Sequence, residues 1–316
     1  MSGGPGRPRQ ARVRALAKIN LDLRVLGQRP DGYHELRTIF QTISLADTLD
    51  ISFTPGRRTA VELEDGLGIP DNLVVRAARL TLDAMRATGR VEMRLRKRIP
   101  MGAGLGGGSS DAAAVLLALP VLAGRILSIP TLCELAGELG SDVGFFLLGG
   151  TAAGIGRGLE LFPLPDGPSR GGVLAAPGVH VSTAEAYRRL SPRLTTELQQ
   201  NKIFSFLSHT WNLDQEEAAR NDFEAVVFEQ HPQVAALKRK ISRMGASLAM
   251  MTGSGSAVFG LFRRGEEVSR ALKAFEGEKV FRISLVSRAR YRSLWWRALQ
   301  KHIDQKIWPP PSRYAR

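Results

Sequence analysis

The residues Pro100, Met101, Gly102, Ala103, Gly104, Leu105, Gly106, Gly107, Gly108, Ser109 and Ser110 place five glycines within seven positions and end in two hydroxyls. Ordering so many glycines costs far more backbone entropy than an ordinary turn, so the run must have a use. Glycine allows the backbone to approach a ligand closely. The helix-forming stretch that follows, from Ser109 through Leu119, would offer unpaired N–H groups and the positive end of its dipole at the loop. The chemistry that suits such a cradle is phosphate binding.

Other glycine-loop and site chemistries fit less well. Residues 102–107 match G-x-G-x-x-G, but a dinucleotide site needs a buried parallel strand before the loop and an acid about 20 positions on. Here Arg96-Lys97-Arg98 precedes the loop, and the residues around 127 are apolar. A P-loop needs Gly-Lys-Ser/Thr, and no lysine follows these glycines. The five histidines (34, 180, 209, 231 and 302) show no His-x-x-x-His spacing, so a zinc site is not expected. No Gly-x-Ser-x-Gly elbow supports hydrolase chemistry.

The elements that must position this loop can be read from periodicity. Val13, Ala15, Ala17, Ile19, Leu21, Leu23 and Val25 alternate with mostly polar residues, the pattern of a half-buried strand. That strand puts Lys18, Asn20 and Asp22 on one polar face. A turn-rich loop, Gly27 to Gly32, delivers Tyr33 and His34 into a second strand running through Ile43. Asp71 is placed to cap a helix over about 72–87, and Val91, Met93 and Leu95 mark a strand ending at Pro100. Another helix covers about 131–139, closed by Gly140. Just beyond it Asp142 precedes the apolar Val143, Phe145 and Phe146, where a carboxylate is costly without a partner. Turn residues crowd 149–178, helical spacing returns near 218–228 and 232–244, and Thr252-Gly-Ser-Gly-Ser256 leads into a strand, 257–262. Strands and helices mix without a steady βαβ rhythm, which predicts an α+β fold.

Composition is that of a globular enzyme, 43% hydrophobic and 23% charged, with a formal net charge of +14. The excess sits at the ends. Residues 1–14 hold four arginines and no acid, and residues 288–316 hold eight Lys/Arg against Asp304 alone. A nucleic-acid module would spread a basic face over its folded body, so basic tails on an enzyme are the expectation. No apolar run is long enough for a membrane span, and no apolar stretch follows the N-terminal arginines as a secretory signal requires. The single Cys133, flanked by Leu132, Leu135 and Ala136, is expected to be an inert buried thiol in a reducing cytoplasm.

Pro100-x-x-x-Gly104-Leu105-Gly106-x-Gly108-Ser109-Ser110 resembles the phosphate-binding motif of the GHMP kinases (galactose, homoserine, mevalonate and phosphomevalonate kinases). Ala17-Lys-Ile-Asn-Leu21, Gly27-Gln-Arg-Pro-Asp-Gly-Tyr-His34 and Leu139-Gly-Ser-Asp-Val143 resemble segments of the branch whose acceptor is a cytidine-diphosphate-linked polyol. Thr252-Gly-Ser-Gly-Ser256 resembles the family's third, C-terminal glycine motif, and the likeness runs from about 15 to 286.

The resemblance implies a two-domain α+β architecture with mixed and antiparallel sheets and packed helices. The expected divisions are a basic tail over 1–14, an ATP-binding domain over 15–160, a C-terminal kinase domain over 161–287 and a Trp/Pro-rich extension over 288–316. The implied reaction moves a phosphoryl group from ATP to an alcohol of that acceptor, in isoprenoid precursor synthesis. Asp142 would accept or orient the hydroxyl proton, and Lys18 would keep Asp142 ionised and steady the phosphoryl group. Tyr33, His34, Phe40 and Tyr187 would hold the cytidine, and Asn20 would reach the polyol or phosphate region. At Tyr187 the family often has phenylalanine, which keeps the stacking. Asn72, Leu73 and Lys97 match adenine-side positions alongside the whole run 100–110, and Thr183 would lie near nucleotide or substrate. Mg²⁺ is expected with ATP, with Ser110 the candidate ligand. A mevalonate- or homoserine-type acceptor is the alternative within the family, and a nucleic-acid-binding protein the alternative outside it.

Tyr291 to Arg316 lies beyond the resemblance and contains Trp295, Trp296, Trp308 and Pro309-Pro-Pro311. Leu294, Trp295, Leu299, His302, Ile303 and Lys306 fall near helical spacing. The two expectations are a helix folded back on its own domain, ahead of a disordered end, and an amphipathic helix meeting a partner or an anionic membrane surface.

Overall fold

Two long strands, β1 (Arg9–Gln28) and β2 (His34–Pro55), form an antiparallel hairpin that organises the N-terminal half. The structure is a computed structural model that describes residues 7–191, 219–275 and 279–303. β1 begins at Arg9, so residues 9–14 are not the tail expected from their charge. Ala11, Val13 and Ala15 continue the alternation, and Arg12 between them pairs with Asp50 of β2 at 2.5 Å. β2 is the spine of the first sheet. β4 (Gly89–Arg96) and β5 (Thr151–Gly156) share the edge opposite β1, β3 (Ala60–Glu64) lies parallel to β4, and β6 (Glu160–Leu164) is antiparallel to β5. Because β6 pairs there, the first sheet extends past the division expected at residue 160.

The second sheet is antiparallel, in the order β10-β7-β9-β8, from β7 (Gly171–Ala175), β8 (Leu248–Met251), β9 (Val258–Phe262) and β10 (Val280–Ser284). Helices cover both sheets. Those on the first are α1 (Leu73–Met85), α2 (Gly107–Ala123), α3 (Ile129–Leu139) and α4 (Val143–Leu148). Those on the second are α5 (Thr183–Leu190), α6 (Glu224–Gln230), α7 (Pro232–Arg243) and α8 (Gly265–Lys273), and α9 (Arg288–Leu299) closes the described chain. α2 is apolar on every side and is buried from Ser110 through Leu122, as such a helix must be. α1 is capped by Asn72, whose Oδ1 accepts the Val74 N–H at 3.0 Å; Asp71, the expected cap, stands one residue too early.

Three apolar cores result, and β1 contributes to each. Val13, Ala15 and Leu16 join the first, under α1–α4; Ala17, Ile19 and Leu21 join the second, between the sheets; Leu23 and Val25 join the third, under α5–α8. A register shift against β2 between Leu16 and Lys18 accompanies the change of core. With both faces of β1 covered, Lys18, Asn20 and Asp22 are buried, not solvated.

α9 folds back on the N-terminal half, where Tyr291, Trp295 and Leu299 enter the first core while Trp296 stays exposed. The apolar stripe that suggested a partner surface is therefore covered by the chain itself; Lys306, Trp308 and Pro309–Pro311 lie outside the described residues. Cys133 is exposed, because the buried stripe of α3 is Leu132, Leu135, Ala136 and Leu139. Among the described residues no helix is long and apolar enough to cross a membrane.

Candidate active site

The glycine run leaves Ile99 and turns into α2, and its conformation is dictated by what it touches. Gly104 has φ +78°, and a Cβ there would stand 2.1 Å from the Thr252 carbonyl oxygen. Gly106 has φ +66°, and a Cβ there would meet the Phe146 ring at 2.9 Å. Only glycine satisfies both the left-handed backbone and the contact. The loop is tied to β1 by the Lys18 N–H, which donates to Leu105 O at 3.0 Å. It is tied to the Thr252–Ser256 turn by the Ala257 N–H, which donates to Ala103 O at 3.2 Å. The first and third motifs thus meet at the second.

Lys18 lies 3% exposed on β1, its ammonium 3.4 Å from Asp142 Oδ2 and donating to Asn20 Oδ1 at 2.9 Å. The Phe40 ring sits beneath it, 5.3 Å from Nζ to the centroid. Asp142 immediately precedes α4 and is a third exposed, facing a cavity of about 1090 Å³. An ammonium held among a carboxylate, an amide oxygen and a ring face is a buried charge with its partners supplied. The cavity exceeds an ordinary single-ligand pocket, leaving room for two substrates.

That cavity is lined by Gly102, Gly104, Gly106 and Ser109 of the glycine run and by Tyr33, His34, Thr183 and Tyr187. His34 stacks on Tyr187 with centroids 4.5 Å apart, and its Nε2 meets Ser191 Oγ at 2.7 Å. Burial holds His34 below the usual histidine range, favouring the neutral ring. Burial, and then the charge of Asp142, push the Tyr187 phenol well above its usual range. Tyr33 is half exposed and carries the Arg157 guanidinium on its face at 3.3 Å. Thr183, first residue of α5, meets Ser254 Oγ at 2.8 Å, and both residues line the cavity.

Four expected site residues are held by close partners, and two of them, Asn20 and Phe40, also line the cavity. Asn20 is 1% exposed: its Oδ1 accepts from Lys18, Thr252 Oγ1 and the Gly253 N–H, and its Nδ2 donates to Thr38 Oγ1. It is a junction between motifs. Phe40, 4% exposed, packs on Phe145 with centroids 5.0 Å apart and lines the cavity beneath Lys18. Ser110 is buried, donates to Leu16 O at 2.7 Å and does not line the cavity. Lys97 pairs with Asp47 at 2.5 Å and Asp111 at 2.6 Å beneath Gly107. Asp111 is pushed up to about 7 by its burial and by Asp47, although Lys97 opposes the shift.

Leu73 stands near Gly108, and Asn72, which precedes it, donates from Nδ2 to Asp65. Pro100, Met101, Ala103, Leu105, Gly107 and Gly108 shape the run without lining the cavity. Sequence reasoning missed Arg157 and His180 as cavity residues. Arg157 stands alone in a Gly-Arg-Gly turn, and neither residue carries a motif. Among the described residues no group of three His, Cys, Asp or Glu could hold a metal ion.

The models of the GHMP kinases N terminal domain and the GHMP kinases C terminal match residues 72–150 and 210–279. The chain is 69% identical over 310 residues to the 4-diphosphocytidyl-2-C-methyl-D-erythritol kinase of Solibacter usitatus, covering 97% of this chain and 98% of the relative. It is 39% identical over 279 residues to the enzyme of that name from Bacillus mycoides, covering 87% and 96%. A crystal structure of 4-(cytidine 5'-diphospho)-2C-methyl-D-erythritol kinase superposes with a TM-score of 0.73 at 38% identity, covering 87% of this chain and 98% of that one. A homoserine kinase from Cytophaga hutchinsonii shares the fold, with a TM-score of 0.67 at 17% identity over 91% of this chain and 97% of its own. The chain belongs to the GHMP kinases, in the family of the 4-diphosphocytidyl-2-C-methyl-D-erythritol kinases.

Proposed function

We propose that the chain transfers the γ-phosphoryl group of ATP to the 2-hydroxyl of 4-diphosphocytidyl-2-C-methyl-D-erythritol, a step of non-mevalonate isoprenoid precursor synthesis. The observation that carries this reading is the Lys18–Asp142 pair, 3.4 Å apart, in a cavity shared by the glycine loop and the Tyr33/His34/Tyr187 group. The hydroxyl oxygen attacks the γ-phosphorus, the bond to the bridging oxygen of ADP breaks, and the hydroxyl proton passes to Asp142. Lys18 stabilises the Asp142 carboxylate and the charge on the moving phosphoryl group. Backbone N–H groups of the loop and the N-terminus of α2 hold the phosphates of ATP.

Mg²⁺ enters this reading as part of the nucleotide substrate, with most of its coordination supplied by phosphate and water. That fits the described residues, among which no group of three His, Cys, Asp or Glu could hold a metal ion and Ser110 does not line the cavity. Rings flanking the cavity favour a nucleotide-linked acceptor, since mevalonate and homoserine have no ring to stack. Surface arginines such as Arg90 and Arg94 pair with Glu62 and Glu64, which argues against a basic nucleic-acid face. A cytoplasmic enzyme fits the use of ATP. So does a division into an ATP-binding half, ending beyond Leu164, and a second half built on β7–β10.

ADP release measured over a panel of acceptors tests the assignment. Turnover with the cytidine-diphosphate acceptor and none with mevalonate or homoserine is expected; the reverse pattern would sink it.

A further inference from the structure

α4 has only six residues, too few to hold itself together as an isolated helix. Asp142 opens it without a side-chain capping bond, and Gly149, at φ +66°, ends it. The position of Asp142 therefore depends on what grips α4 from outside. On the inner side, Phe146 fills the space against Gly106, and Phe145 packs on Phe40 beneath Lys18. A displacement of α4 thus disturbs the carboxylate and the phosphate loop together.

The outer grip comes from α9. Tyr291 Oη donates to Phe146 O at 2.5 Å, and its ring lies so close to Gly149 that a Cβ there would stand 2.2 Å from it. Arg288 Nε donates to Gly149 O at 3.2 Å and Nη1 to Leu164 O at 3.1 Å, while Nη2 reaches Thr151 O. The Arg288 N–H is fixed by Asp166 Oδ2 at 2.7 Å. Two carbonyls at the end of α4, those of Phe146 and Gly149, are thus bonded to one helix that lies outside both matched family models, which end at residues 150 and 279.

We propose that Tyr291 and Arg288 are positioning residues for phosphoryl transfer, holding α4 so that Asp142 faces Lys18 and the acceptor hydroxyl. The proposal rests on the kinase reading above and adds a role for the C-terminal helix in it. Neither side chain lines the cavity, so their loss is expected to act on the chemical step and not on binding. Burial holds the Tyr291 phenol in its protonated, donating form.

The test uses the full chain and Tyr291→Phe, which keeps the ring and removes the bond to Phe146. A kcat about tenfold lower is expected, because small misplacements of a reacting group are costly, with KM for ATP and acceptor within twofold of wild type. Hydrogen exchange in peptides covering 142–149 is expected to quicken while α2 is unchanged. Trp296→Ala, on the exposed side of α9, is the control and leaves both readouts at wild-type values. A kcat within twofold of wild type for Tyr291→Phe, an equal loss in Trp296→Ala, or unaltered exchange at 142–149 would overturn the proposal. Wild-type protein without kinase turnover would instead count against the assigned function, and the exchange comparison would still decide whether α9 holds α4.

Discussion

Asn20 and Thr252, 232 positions apart, are joined twice: the Asn20 N–H donates to Thr252 Oγ1 at 3.1 Å, and the Thr252 hydroxyl donates to Asn20 Oδ1 at 3.2 Å. The same Oδ1 receives the Lys18 ammonium. One amide therefore locks the third glycine motif to the residue that faces Asp142.

Asn20→Ala keeps the backbone bond to Thr252 but removes the one acceptor that the Lys18 ammonium, the Thr252 hydroxyl and the Gly253 N–H now share. Stability should fall by about 1–3 kcal/mol, the cost of buried groups left unpaired, and kcat should fall with it. Urea unfolding and steady-state kinetics on one preparation check both. Unchanged stability would mean that water replaces the amide.

Asp142→Asn keeps the shape and removes the proton acceptor. We expect kcat to drop by about 10²–10⁴, the usual span for a general base, with the dissociation constant for ATP within a few-fold of wild type. Substantial turnover in this variant would remove Asp142 from the proton-accepting role.

Tyr187 separates ring from hydroxyl. Tyr187→Ala should raise KM for the cytidine-bearing acceptor about tenfold, in line with the loss of one base stack, and leave KM for ATP alone. Tyr187→Phe should behave as wild type. If Tyr187→Ala instead weakens ATP and acceptor equally, the ring serves the fold rather than the pyrimidine.

Asp111 gives the protein a pH signature. Folded, it holds its proton to about 7, whereas the unfolded group releases it near its ordinary 3.8. Between those values the native state binds the extra proton, so stability falls as pH rises through the window and levels off above it. Asp111→Asn should abolish that part of the slope. Urea midpoints for both proteins from pH 4 to 8 provide the comparison, and parallel curves would refute the assignment.

The parts of this molecule legible in its sequence are those written in local period. The alternation of β1 and the glycine run followed by α2 lie in adjacent residues and were readable as strand and phosphate loop. The burial of Lys18 was not, because period two distinguishes faces but not what covers them, and the cover comes from Phe40, Gly106 and Asp142. Ser110 shows a hydroxyl in sequence but not its partner Leu16, and nothing local announces that Lys97 will be claimed by Asp47, 50 positions away. Arg157, alone between glycines, had no pattern to find. Cys133 was recoverable: Leu132, Leu135, Ala136 and Leu139 already define a helical stripe that excludes it.

Strand β1, which gives side chains to all three cores, also sets a timetable for synthesis. The Asn20–Thr252 contact spans 232 positions, so at about 5–20 residues per second Asn20 waits on the order of 10–50 s for its partner to leave the ribosome. Through that interval Ala17, Ile19 and Leu21 lack the face of β8 and β9 that will cover them. A nascent chain in this state exposes one face of an apolar strand, and its need for chaperones should scale with the delay between the two halves.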